Sequence, residues 1–113
     1  MLLNIVDGTG FPQKIIVEGQ ETIADQSGVI AATTTPQVMV AANANRSGVI
    51  MQNDGTQNMI INDMGNAVSP TVAGNGSFVV TPGSYWPPAG YPVSTGAISV
   101  SGTSGDTYTC RTW

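Results

Sequence analysis

Short apolar runs rich in Val and Ile alternate with clusters of Gly, Pro, Asn and Asp along the chain, and none keeps a helical period. The first good strand run is Lys14-Ile15-Ile16-Val17-Glu18. Gln37-Val38-Met39-Val40-Ala41 follows Pro36. Gly48-Val49-Ile50-Met51-Gln52 stops at Asn53-Asp54-Gly55, residues that tolerate positive φ, which predicts a hairpin with Asn58-Met59-Ile60-Ile61-Asn62 as its return strand. Ser77-Phe78-Val79-Val80-Thr81 runs into a Pro82-Gly83 turn of type I or II. Ala97-Ile98-Ser99-Val100-Ser101 alternates, so Ile98 and Val100 are expected to face inward. A second hairpin loop is expected over residues 102–106. Beyond it, Tyr108 and Cys110 are assigned to the core, with Thr107, Thr109 and Arg111 looking outward.

Composition strengthens this pattern. Val and Ile dominate the apolar residues, only two are Leu, and many Thr add further side chains that are stiff at χ1 and suit a pleated sheet. Fourteen Gly and seven Pro are scattered too evenly to leave a clean helical window. The fold class expected is all-β, an antiparallel β-sandwich or barrel-like roll over residues 36–113 with an extended N-terminal arm over residues 1–35. The arm reading rests on its short apolar pieces, each too small to close a core, with linker-like stretches at residues 24–28 and 31–36. Such an arm can add a strand to a partner or a neighbouring subunit, and Ile15, Ile16 and Val17 are its partner-binding candidates; the other reading, a set of edge strands on the same domain, is the less favoured. A 78-residue β-domain has a marginal core, and oligomerisation is the common remedy.

Charge narrows the functions. Only 9% of residues are charged, with three basic against seven acidic and no histidine, in 113 residues. Lys14, Arg46 and Arg111 are far apart in sequence, so no cluster is available for phosphates and a nucleic-acid partner is not expected. Histidine acid–base chemistry and histidine metal sites are excluded within one chain. No residue is assigned a catalytic, cofactor-binding or metal role, and an enzyme is not expected. Asp54 and Asp63 flank the first predicted hairpin. Their bland reading as turn formers is preferred to a catalytic pair or a calcium site. The lone Cys110 is read as a small buried apolar side chain. No apolar run reaches membrane-spanning length, and the opening residues lack a basic, signal-like start, so a membrane partner is not expected and folding in a cytoplasm is.

One segment stands apart. Tyr85-Trp86-Pro87-Pro88-Ala89-Gly90-Tyr91-Pro92 holds three of the seven aromatics and three of the seven prolines. It reads either as a rigid binding loop, which makes Tyr85, Trp86 and Tyr91 partner-binding candidates, or as a loop folded back to cap one end of the sandwich. The second is preferred because Trp is usually mostly buried.

The stretch from Val38 to Asn53, with Arg46 before an apolar strand ending in Gln52-Asn53, resembles small β-rich virion proteins of tailed bacteriophages. So do the later Pro82-Gly83 turn and the opening Val6-Asp7-Gly8-Thr9-Gly10-Phe11-Pro12-Gln13. Head-decoration proteins and short head fibres are the nearest kind. The resemblance implies a homotrimeric virion module bound to the major capsid protein, without cofactors or catalytic residues. The alternative is a tail-associated receptor-binding or adhesin domain for host surface glycans. Arg46 is the motif position singled out, and it is expected to hydrogen-bond turn carbonyls.

Overall fold

The computed structural model describes residues 22–65 and 76–113, together with two short strands, β1 (Ile5–Val6) and β2 (Pro12–Gln13), which pair antiparallel. Nine further strands follow: β3 (Ala24–Asp25), β4 (Gly28–Val29), β5 (Gln37–Val40), β6 (Val49–Asn53), β7 (Met59–Asn62), β8 (Phe78–Val80), β9 (Tyr85–Trp86), β10 (Ile98–Ser101) and β11 (Thr107–Thr112). They form two antiparallel sheets. One has the order β5-β10-β7-β8; the other has the order β3-β11-β6-β9, with β4 also on β11. The fold is all-β, as the alternation of apolar and polar residues predicts. The predicted strand over residues 14–18, with Ile15, Ile16 and Val17, lies outside the described residues.

The core forms between the sheets. Met51, Trp86, Tyr108 and Cys110 meet Val40, Met59, Ile61, Ile98 and Val100 there. In β11 the expected alternation holds, with Tyr108 and Cys110 inside and Thr107, Thr109 and Arg111 on the other face. In β10, Ile98 and Val100 face the core, but Ser99 and Ser101 are buried as well. The strand is central in its sheet, and the larger neighbours on that face, Val38 and Asn62 beside Ser99 and Ile60 beside Ser101, overshadow a side chain as short as serine.

Two expected hairpins are not hairpins. β6 pairs with β11 and β9, and β7 pairs with β10 and β8, so the 54–58 turn carries the chain from one sheet to the other. The 102–106 loop does the same between β10 and β11. The turn residues are where the pattern puts them, but the strands on either side both bury one face in the same core, and the chain satisfies both by crossing it. The Thr81–Ser84 turn also crosses. Its Ser84 N–H donates to the Thr81 carbonyl at 2.9 Å, and Gly83 sits at φ 80°, the left-handed position that a type II turn gives to glycine.

Residues 24–30, expected to belong to an extended arm, are part of the sheet. β3 and β4 run along the edge of β11, and Ile30 is in the core. Gly28 permits this close approach, because a Cβ there would stand 2.6 Å from the Tyr108 hydroxyl oxygen. Packing on β11 thus begins before residue 36. A strand of two residues carries too weak a periodic signal to show this in sequence.

Burial pushes the Cys110 thiol up to about 11 from an ordinary 9.0. The folded state therefore disfavours the thiolate, while the unfolded chain ionises near the ordinary value. Stability is full below that value and falls as pH rises from about 9 towards 11. Tyr108, raised by burial too, adds to the loss in the same direction. Urea midpoints at about pH 8 and about pH 10.5 are expected to show the fall, and Cys110→Ala to reduce it.

Candidate functional site

Cross-strand register builds a platform on the outer face of the five-stranded sheet. Tyr85 of β9 lies opposite Gln52 of β6, which lies opposite Thr109 of β11. In the next row Ile50 lies opposite Arg111, which lies opposite Asp25. Tyr85 is 61% exposed and Ile50 is 40% exposed. A shallow dip of about 70 Å³ lies among Ile50, Gln52, Tyr85, Thr109 and Arg111. Enclosing pockets start near about 300 Å³, so this is a surface for docking or stacking.

The platform's polar groups are held in place. Arg111 Nη1 pairs with Asp25 Oδ1 at 2.7 Å and donates to Ser27 Oγ at 3.0 Å. Asp25 is drawn below its usual carboxylate range, first by the hydrogen bond from the Ser27 side chain, then by the Ser27 N–H, with the Arg111 charge a smaller cause. Thr109 Oγ1 donates to Asp54 Oδ2 at 2.6 Å, and Gln52 Nε2 donates to the Gly83 carbonyl at 3.2 Å. The charges on this face are thus the Arg111–Asp25 pair and the Asp54 carboxylate held by Thr109, beside an exposed ring and an aliphatic side chain.

The aromatic segment divides. Tyr85 turns outward, whereas Trp86 is 2% exposed and packs with Phe78 and Tyr91 at centroid distances of 6.3 and 5.9 Å. The Trp86–Pro87 peptide is cis. Tyr91 is half-buried, meets Phe78 edge-on at 5.7 Å and donates its hydroxyl to Asp63 Oδ2 at 2.8 Å. That hydrogen bond, more than burial, raises the Tyr91 pKa. Ser94 Oγ donates to the same carboxylate oxygen. Trp86 therefore belongs to the core between the sheets, with Tyr91 packed against it, and Tyr85 is the one of the three sequence candidates that a partner can stack on. Ile50, Gln52, Thr109 and Arg111 were not sequence candidates for this site. Alternation marks them as outward-facing, but only the register brings them beside Tyr85.

Trp86 Nε1 is buried without a hydrogen-bond partner among the described residues. An unsatisfied buried donor costs about 1–3 kcal/mol. Trp86→Phe removes it while keeping a ring, so its melting temperature is expected to match the parent within about 1 kcal/mol equivalent, whereas Trp86→Ala loses about 3–5 kcal/mol.

The carboxylates are separated. Asp54 is held by Thr109, Asp63 by Tyr91 and Ser94, and Asp106 Oδ2 accepts from the Thr56 and Gln57 N–H groups at 3.2 Å each. Because β6 and β7 lie in different sheets, Asp54 and Asp63 do not flank a shared hairpin. Among the described residues no group of three or more His, Cys, Asp or Glu can hold a metal ion, and no helix is long and apolar enough to cross a membrane.

Fold and platform together define a two-sheet, all-β protein with a low-charge exposed face. Comparison with family models, with curated proteins and with solved structures finds no match.

Proposed function

We propose that this protein is a structural component of a tailed-phage virion, a β-module that sits on the capsid surface as an oligomer and decorates or stabilises it. The observation that carries the reading is the Tyr85–Ile50 platform, where an exposed ring and an aliphatic side chain lie beside the Arg111–Asp25 ion pair. Aromatic anchors of this kind dominate protein interfaces. Val38 and Val79, exposed on the other sheet, offer the same chemistry on the opposite side. The partners in this reading are the major capsid protein and further copies of the chain, three in the trimer that the resemblance implies. Nucleic acid and membrane have no part in it. Ile15, Ile16 and Val17 remain the candidates for an arm contact.

Cosedimentation with purified empty capsids, alongside host cell envelopes, tests the reading. Capsid retention is expected, together with a trimeric mass by light scattering. Tyr85→Ala is expected to weaken capsid binding by about 30-fold, as truncation of an interface anchor does. Retention by envelopes alone would overturn the proposal. Deleting residues 1–21, which spares β3, β4 and Ile30, tests the arm separately, because unchanged capsid affinity removes it.

A second reading, a tail-associated adhesin for host glycans, draws on Gln52 and Thr109 beside the Tyr85 ring. An exposed aromatic face flanked by an amide and a hydroxyl suits a sugar stacked on it.

A further inference from the structure

A second cleft lies on the other sheet, away from Tyr85. It has a volume of about 350 Å³, within the range of small-molecule sites at about 300–1,000 Å³. Its floor is the cross-strand pair Ser101 and Ile60, on the face of β10 and β7 opposite the core residues Val100, Met59 and Ile61. Its walls are the inter-sheet turn at Thr56, Gln57 and Asn58 and the start of the next turn at Thr103.

Two features mark it as a binding site. Ser101 is 1% exposed, yet its hydroxyl makes no hydrogen bond to any described residue. Its oxygen is not fully enclosed as Trp86 Nε1 is, so the little surface that Ser101 keeps puts its hydroxyl at the cleft it lines. The side chains of Thr56, Gln57, Asn58 and Thr103 are likewise unengaged by other described residues, although the backbone carrying them is firmly tied. Asp106 accepts from the Thr56 and Gln57 N–H groups, and Asn53 Nδ2 donates to the Gln57 carbonyl at 2.8 Å. On the opposite rim Thr34, held at φ 55°, donates its N–H to the Gly102 carbonyl at 2.9 Å. The backbone of the walls is thus pre-organised, while the hydroxyls and amides of Thr56, Gln57 and Asn58 are exposed and can turn towards a ligand, so binding orders side chains and not the chain itself.

The lining sets the ligand class. No charged side chain lines the cleft, so an anion or cation would be desolvated without a counter-charge. An apolar ligand would strand the hydroxyls and amides. Hydroxyl and amide groups each donate and accept, which matches a ligand whose own hydroxyls do both. Ile60 and Pro82 offer apolar contact for a ring's C–H face. We propose that this cleft binds a neutral saccharide, with Ser101, Asn58, Gln57 and Thr103 as its hydrogen-bonding groups. The inference is independent of the capsid reading and of any sugar stacked on Tyr85.

The test is amide chemical-shift mapping of the isotope-labelled full chain with glucose, galactose, N-acetylglucosamine, lactose, cellobiose and chitobiose. Each is added at about 10 mM, tenfold above a millimolar dissociation constant. At least one sugar is expected to shift the amides of residues 56–58 and 101–103. Ser101→Ala removes only the hydroxyl, so it should fold as well as the parent by thermal melting yet bind about fivefold more weakly, the worth of one hydrogen bond. Tyr85→Ala should leave binding unchanged. The proposal is overturned if no sugar moves the cleft amides, if Ser101→Ala binds like the parent, or if the shifts centre on Tyr85 and vanish in Tyr85→Ala.

Discussion

Replacing Arg46 with alanine is expected to destabilise the protein by about 3–4 kcal/mol, a large part of the roughly 5–15 kcal/mol that holds an ordinary domain together. The side chain is buried at the junction of two connections. Its Nη1 donates to the carbonyls of Ser94 and Gly96, the latter at 3.2 Å, and its Nη2 donates to the Ala41 carbonyl at 2.5 Å. One planar group thus ties the chain after β5 to the chain before β10, and truncation leaves three carbonyls without their donor. Burial holds the guanidinium below its ordinary pKa, and carbonyl dipoles rather than a carboxylate receive its donors. Arg46→Lys is expected to recover less than half of the loss, because an ammonium lacks the fork that reaches both segments. Urea unfolding of the three proteins measures this, and an Arg46→Ala loss below about 1 kcal/mol would show the ties to be dispensable.

Asn53→Ala is expected to cost about 3 kcal/mol. Asn53 is 0% exposed, and its amide nitrogen donates to the carbonyls of Gln57 and Val80 at 2.8 Å each. Its side-chain oxygen accepts from the Gly55 N–H at 2.8 Å. These three bonds shape the crossing from β6 to β7 and join it to the end of β8. Asn53→Asp is expected to be worse at neutral pH, since it sets a buried carboxylate against two carbonyl oxygens. Such a group has a raised pKa in the folded state, so the lost stability returns as pH falls from that raised value towards the ordinary carboxylate value near about 4, and is fully back below it. Denaturant midpoints at about pH 7 and about pH 4 read both effects, and an Asp variant equally stable at both would contradict this account.

Neither residue's role was equally legible in advance. Arg46, in a chain with only three basic residues, was read correctly as a donor to turn carbonyls. Asn53 was read as an ordinary turn former, and its reach to Val80 depends on a strand that follows more than twenty residues later. The aromatic segment shows the same division. Proline density and the burial habit of Trp pointed to a loop capping one end; Trp86 is buried, but as part of strand β9 in the core between the sheets, with Tyr91 packed against it. Nothing local distinguished Tyr85 from its neighbours, because its outward turn follows from the Gln52 pairing.

By itself the sequence determined the class of structure and the inward faces. β-branched side chains and a two-residue period are local properties, and they put Tyr108, Cys110, Ile98 and Val100 in a β-core wherever the strands end up. Only the tertiary structure decided which strands pair. The turns at 54–58 and 102–106 permit either a hairpin or a crossing between sheets, and the choice belongs to the shared core that both flanking strands must cover. The Tyr85 platform and the Ser101 cleft follow from that choice, since each joins residues from strands that are distant in sequence and meet through long-range register alone.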